Sequence, residues 1–269
     1  MEMKGRALSW AACALYAGLV SGRPVHADGF AALYAVYWAG LPAAEIRLES
    51  RSGDGRYQDM IEIHSTGLPR LLTRFHGTAR SEGRLAAGPA RYDTTYDLRK
   101  RHNSHISMRF VERGGAVIAE RGTDDTSRKP PLAEEFRRNV VDPLTAFERI
   151  RGALRNDKAA AFAVPVYDGA RRFDVQGQIA ARASDGRLRV RLTLRPIAGF
   201  KGETSEDGDP DDAPRPVELT ITDDTSLVPL SMTVSLYYLP LVVQLVRFCP
   251  ADDACSIETD PDAGRSAHQ

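Results

Sequence analysis

Arg187, Arg189, Arg191 and Arg195 occupy one phase of a stretch whose other phase is Leu188, Val190, Leu192 and Leu194. A period of two separates those sets only on an extended strand, where successive side chains point to opposite faces. The same period returns along most of the chain. Tyr92, Thr94, Tyr96 and Leu98 alternate, as do Ile106, Met108 and Phe110, with a turn-like Arg101 to Ser104 segment between them. Phe173, Val175 and Ile179 lead through Ser184-Asp185-Gly186 into the arginine strand, and Val217, Leu219 and Ile221 lead through Asp223-Asp224 into Ser231 to Tyr238. Leu33 to Trp38, Ala43 to Leu48 and Tyr57 to His64 behave alike. The expected architecture is a long antiparallel meander.

One segment departs from this period. Asp142 followed by Pro143 is an N-cap with proline at the first helical position, and Leu144, Phe147, Ile150, Arg151 and Leu154 then recur at helical spacing. The spacing predicts a single amphipathic helix over residues 143 to 155. So short a helix is stable only when docked, so it should plug or cover the concave side of the sheet. The segments Gly122 to Pro131 and Gly199 to Pro216 read as exposed loops, and the chain as one domain over residues 28–247 with a tail, partly disordered, at 248–269.

The first twenty-seven residues read as a removable leader. Lys4 and Arg6 precede an apolar run from Ala7 to Val20, and Val25-His26-Ala27 supplies small residues at the key cleavage positions. The run is about fourteen residues, shorter than the roughly twenty that span a bilayer. Cleavage between Ala27 and Asp28 is expected, with the mature chain in the periplasm and without a transmembrane segment. A lipid anchor on Cys13 is set aside, because Trp10 stands where an aliphatic residue is needed. Once the leader is removed, Cys249 and Cys255 remain in an oxidising compartment and should form a disulfide. Balanced charge, 36 Lys and Arg against 36 Asp and Glu, argues against a nucleic-acid partner.

Several residue groups have the composition of sites. Asp207, Asp209, Asp211 and Glu218 follow calcium-loop spacing, but Asp212 stands where such a loop needs glycine and prolines stiffen it, so a solvated loop is the better reading. His64, His76, His102 and His105 complete no ligand set, so no metal and no cofactor is expected. No Gly-x-Ser-x-Gly elbow and no unpaired cysteine signals a nucleophile. The basic face of the arginine strand reads as a solvated outer face, with contact to anionic lipid headgroups as the sharper alternative. Tyr37, Trp38, Phe147, Tyr237 and Tyr238, with Phe248, are candidates to line an apolar cleft, although such aromatics also serve as plain core.

Tyr34-Ala-Val-Tyr-Trp-Ala-Gly-Leu-Pro-Ala-Ala-Glu-Ile-Arg-Leu48 resembles the opening of the bacterial domain-of-unknown-function family 3108. Asp142-Pro143-Leu144-Thr145-Ala146, Val166-Tyr167-Asp168-Gly169 with Arg172-Phe173, and Leu219 to Pro229 resemble later passages of the same family. The resemblance implies an exported β-rich protein with a half-barrel or β-spiral fold like that of lipoprotein carriers. The favoured function is a non-catalytic envelope protein binding a lipid, lipoprotein or protein partner in a concave cleft. A periplasmic hydrolase with a dispersed active site is the rival, and a ligand-free structural factor the third reading.

Overall fold

The computed structural model describes residues 28–67, 70, 74–98, 102–122, 124–126, 130–155, 161–200, 213–236 and 239–250. Thirteen strands form one antiparallel sheet: β1 Asp28–Trp38, β2 Leu41–Gly53, β3 Arg56–Ser65, β4 Phe75–Arg84, β5 Gly88–Leu98, β6 His102–Arg113, β7 Ala116–Arg121, β8 Ala161–Tyr167, β9 Arg172–Ala183, β10 Arg187–Ala198, β11 Arg215–Thr222, β12 Pro229–Leu236 and β13 Leu239–Pro250. Neighbours in sequence are neighbours in the sheet except β7 and β8, and one pairing joins strands far apart in the chain. There β1 pairs with β13, from Phe30 opposite Pro250 to Trp38 opposite Leu241. The last strand therefore continues through Cys249 and Pro250, past the boundary expected at residue 247, because β1 offers partners that far. The remaining tail, with Cys255, lies outside the described residues.

The edges of the sheet, β7 and β8, are not paired with each other. The chain between them closes the gap: Ile118 bridges Arg138 and Val141 bridges Val166. Asn139 N–H donates to Val117 O at 2.6 Å and Asn139 Oδ1 accepts Val117 N–H at 3.0 Å, while Val141 and Pro165 share a 2.9 Å bond on the other side. Asn139 adopts φ 53°, a left-handed conformation that asparagine tolerates better than most residues. The result is a barrel-like sheet with its seam sealed by a few residues. The expected antiparallel sheet curved around one amphipathic helix is the observed architecture.

That sealing segment runs straight into the helix, α1 Pro143–Arg155, whose bounds match the predicted ones. Asp142 caps it: Oδ1 accepts the Leu144 and Thr145 N–H groups, each at 2.9 Å. Asp142 Oδ2 in turn accepts Ser81 Oγ–H at 2.9 Å, tying the helix start to the wall. α1 fills the end of the barrel where the β2–β3, β4–β5 and β9–β10 turns lie, packing on β8, β4 and β3. Leu154, Ile150 and Ala146 join Val164, Val175, Leu188, Val190 and Ile221 in the principal core. Burial of each large aliphatic side chain there is worth roughly 1.5–3 kcal/mol.

Candidate functional site

Because side chains alternate along a strand, one phase of each strand faces the barrel lumen. Ile46 and Leu48 of β2, Ile61 and Ile63 of β3, Leu192 and Leu194 of β10, and Val217 and Leu219 of β11 all take that phase. α1 occupies only one end. Above it remains a cavity of about 890 Å³, floored by Leu144, Phe147 and Ile150 of the helix and walled by those strands. Its lining continues to Phe75, Tyr96, Phe173 and Leu194, towards the end of the barrel opposite the helix. The polar exceptions are few, chiefly Thr94, Ser231 and, in the β8–β9 turn, Asp168 and Arg171. A lining of this kind is better matched to apolar than to charged contents.

The helix carries its polar side towards β2, β3 and β4. Arg151 is buried, donates to Glu148 Oε1 at 2.5 Å, Ser50 Oγ at 3.3 Å and Ser226 O at 2.6 Å, and lies 5.2 Å and 5.5 Å from the ring centroids of Phe30 and Phe147. Asp59, wholly buried beside this pair, has no hydrogen bond to either carboxylate oxygen among the described residues. Burial pushes its carboxyl up to about 8, with the Glu148 charge adding and the Ser50 hydroxyl and Arg151 charge opposing. Burial also raises Asp142, against its hydrogen bonds. These groups fix the helix from behind, leaving its apolar side to the cavity.

Of the candidate cleft residues, Phe147 lines the cavity. It is half-buried, so Leu144, Ile150 and Leu154 are the deeper anchors of the helix. Tyr37 and Trp38 do not line it: a register shift between Val36 and Tyr37 ends the inward phase of β1, and Trp38 is 45 % exposed at the rim. Tyr34, two turns of the pleat earlier, is the β1 aromatic at the cavity. Tyr237 and Tyr238 lie outside the described residues, as do Ala27 and Asp207 to Asp211. Glu218 sits on β11 opposite Arg191, in a strand rather than a loop. Arg187, Arg189, Arg191 and Arg195 are exposed on the outside wall while Leu188, Val190 and Leu192 are buried.

His64, His76 and His105 sit on the outer phase too, while the side chain of His102 lies outside the description. His64 lies 3.1 Å from Glu45 and His76 lies 3.0 Å from Glu62. His105, with Asp93 and Asp124, brings one possible ligand atom per residue within 4.8 Å of the others, an arrangement that strand spacing alone does not reveal. Asp93 is held there by Arg91, whose Nε approaches to 2.5 Å.

The family described as "Protein of unknown function (DUF3108)" matches residues 33–233. The chain belongs to that family. Within the DUF3108 span fall most of β1, β2 to β11, most of β12, the seam and the helix, so most of the cavity lining lies in the family's domain region of this chain. Among solved structures, the chain is similar to the β-barrel-like protein of domain of unknown function DUF1849 from Brucella abortus, with 10 % identity, a TM-score of 0.59, and coverage of 85 % of this chain and 100 % of that one. That likeness concerns the fold. No curated protein matches the DUF3108 chain, and among its described residues no helix is long and apolar enough to cross a membrane.

Proposed function

We propose that this chain is a non-catalytic periplasmic protein of the cell envelope whose barrel lumen takes up the acyl chain of an envelope lipid or lipoprotein. The supporting observation is the cavity of about 890 Å³, walled by aliphatic and aromatic side chains and floored by the apolar side of α1. Its size lies in the range of sites that enclose small ligands. A core built only for stability would instead be filled to near-crystalline density. Protein purified from its native periplasm should release a stoichiometric lipid into an organic extract, read by mass spectrometry. Leu194→Trp, which places an indole in the lumen, should empty the extract while leaving circular dichroism and melting unchanged. An extract without lipid from the unaltered protein, or full occupancy in Leu194→Trp, overturns the reading.

The compartment and the disulfide belong to the same proposal. The leader and its Val25-His26-Ala27 site support export, and Cys249 is buried on β13 and disulfide-bonded. Cys13 would leave with the leader, so Cys255 is the proposed partner. Amino-terminal sequencing of periplasmic protein should begin at Asp28, and thiol labelling under denaturing, non-reducing conditions should find no free cysteine. An intact Met1 or free thiols at both positions would refute this part.

A further inference from the structure

The lumen accounts for a hydrocarbon chain but not for what the chain is attached to. Arg171 is the sole cationic side chain lining the cavity among the described residues. It lies in the β8–β9 turn, at the end of the barrel opposite the helix, with its side chain 50 % exposed.

The turn that carries it is fixed on several sides. Asp168 Oδ1 accepts the Ala170 N–H at 2.9 Å and the Arg171 N–H at 2.7 Å. Asp168 Oδ2 takes the guanidinium, through Nε at 3.0 Å and Nη2 at 3.0 Å. Gly169 O accepts the Arg121 guanidinium and, at 2.8 Å, the Tyr167 hydroxyl. Gly169 has φ 94° and is so close to Ile106 that no side chain fits there, and a side chain at Gly199 would likewise strike Ala170 O. The Arg171 guanidinium is stacked on Phe200, 5.6 Å from the ring centroid.

The orientation of Arg171 is therefore set before any ligand arrives. Both oxygens of Asp168 are already engaged, one by backbone and one by the guanidinium. Nη1 has no partner among the described residues, so one edge of the planar group remains available. A fixed guanidinium edge matches a carboxylate or phosphate, to which arginine forms charge-assisted, paired hydrogen bonds. A charged head cannot follow its chain into an apolar lumen without losing its hydration. It must stay at the mouth.

We propose that Arg171 receives the anionic head, carboxylate or phosphate, of an amphiphile whose chain lies in the lumen. This rests on the lumen reading above and adds the polarity and placement of the head. The test compares palmitate, cetyl alcohol, cetylamine and inorganic phosphate by isothermal titration on the delipidated mature chain, at a pH where palmitate is ionised. Palmitate should bind about tenfold tighter than the alcohol, roughly 1.4 kcal/mol. Arg171→Gln should abolish that preference with alcohol affinity unchanged, and Arg171→Lys should restore part of it. Phosphate alone should show no saturable binding.

Equal affinity for palmitate and alcohol, or a preference kept by Arg171→Gln, overturns the head-group assignment while the lumen reading stands. Tighter binding of the amine overturns it as well, and saturable phosphate binding would make this a free-anion site. Loss of every ligand in Arg171→Gln would assign Arg171 to holding the turn. Failure of all chains to bind the unaltered protein removes the lumen reading itself.

Discussion

Arg151→Met should lower the unfolding free energy by about 3–5 kcal/mol, the usual cost of leaving a buried ionic partner alone. Arg151 is the cation that Glu148 faces beneath the helix, and Asp59 and Asp142 lie close by. Removing it leaves carboxylates around an apolar core with no compensating charge. The methionine preserves most of the packing against Phe30 and Phe147, so the loss reads out the charge rather than the volume. Glu148→Gln combined with Arg151→Met should recover a large part of the loss. Urea unfolding of both variants checks this, and an Arg151→Met protein within about 1 kcal/mol of the original would show that the pair does not hold the helix.

Asp59→Asn should stabilise the protein, and the more so as pH rises. The carboxyl of Asp59 titrates near 8 in the folded chain and near 3.8 when exposed. Between those values the folded state holds a proton that the unfolded state has released. Stability from this group is therefore complete below about pH 4, falls as pH rises towards 8, and levels off above that. Each unit of difference is worth about 1.4 kcal/mol, so the gap between Asp59→Asn and the original should widen by on the order of 3–4 kcal/mol from about pH 5 to about pH 8. Parallel stability curves for the two proteins over that interval would contradict the assignment.

The sheet was legible where its inward phase is aliphatic. β9, β10 and β11 carry Val175, Leu188, Val190, Leu192 and Leu219 against arginine, glutamine or glutamate, and the alternation has full amplitude. β4 was not, because its inward residues are Phe75, Gly77, Ala79, Ser81 and Gly83. They are small for a reason: Ser81 meets the cap of α1, and a side chain at Gly83 would strike the Tyr57 hydroxyl. A strand that yields space to a helix loses the hydrophobic signal by which strands are found. The helix itself was legible from its cap and spacing, since both are local.

The site was less so. Phe147 could be named from the helix stripe, whereas the inward phase of β1 depends on where its register shifts, and that placed Tyr34 rather than Trp38 at the cavity. Arg171 gave no signal either. Its role depends on the turn, on Phe200 and on the lumen meeting at one place, and these come from separated parts of the chain.

The pairing of β1 with β13 joins the first and last described strands of the chain. As synthesis proceeds, β1 has a partner on one side only until residues 239–250 have emerged, so the wall can be completed only by the last strand made. Contacts this distant in sequence are slow to form, because a loop of nearly the whole domain must close before they contribute. The wall of the lumen thus cannot close before β13 has paired with β1. A chain that stops short of Leu239 retains twelve strands of the thirteen yet exposes the edges of β1 and β12, and such unpaired edges recruit other chains. Self-association of prematurely terminated chains follows from this strand order alone.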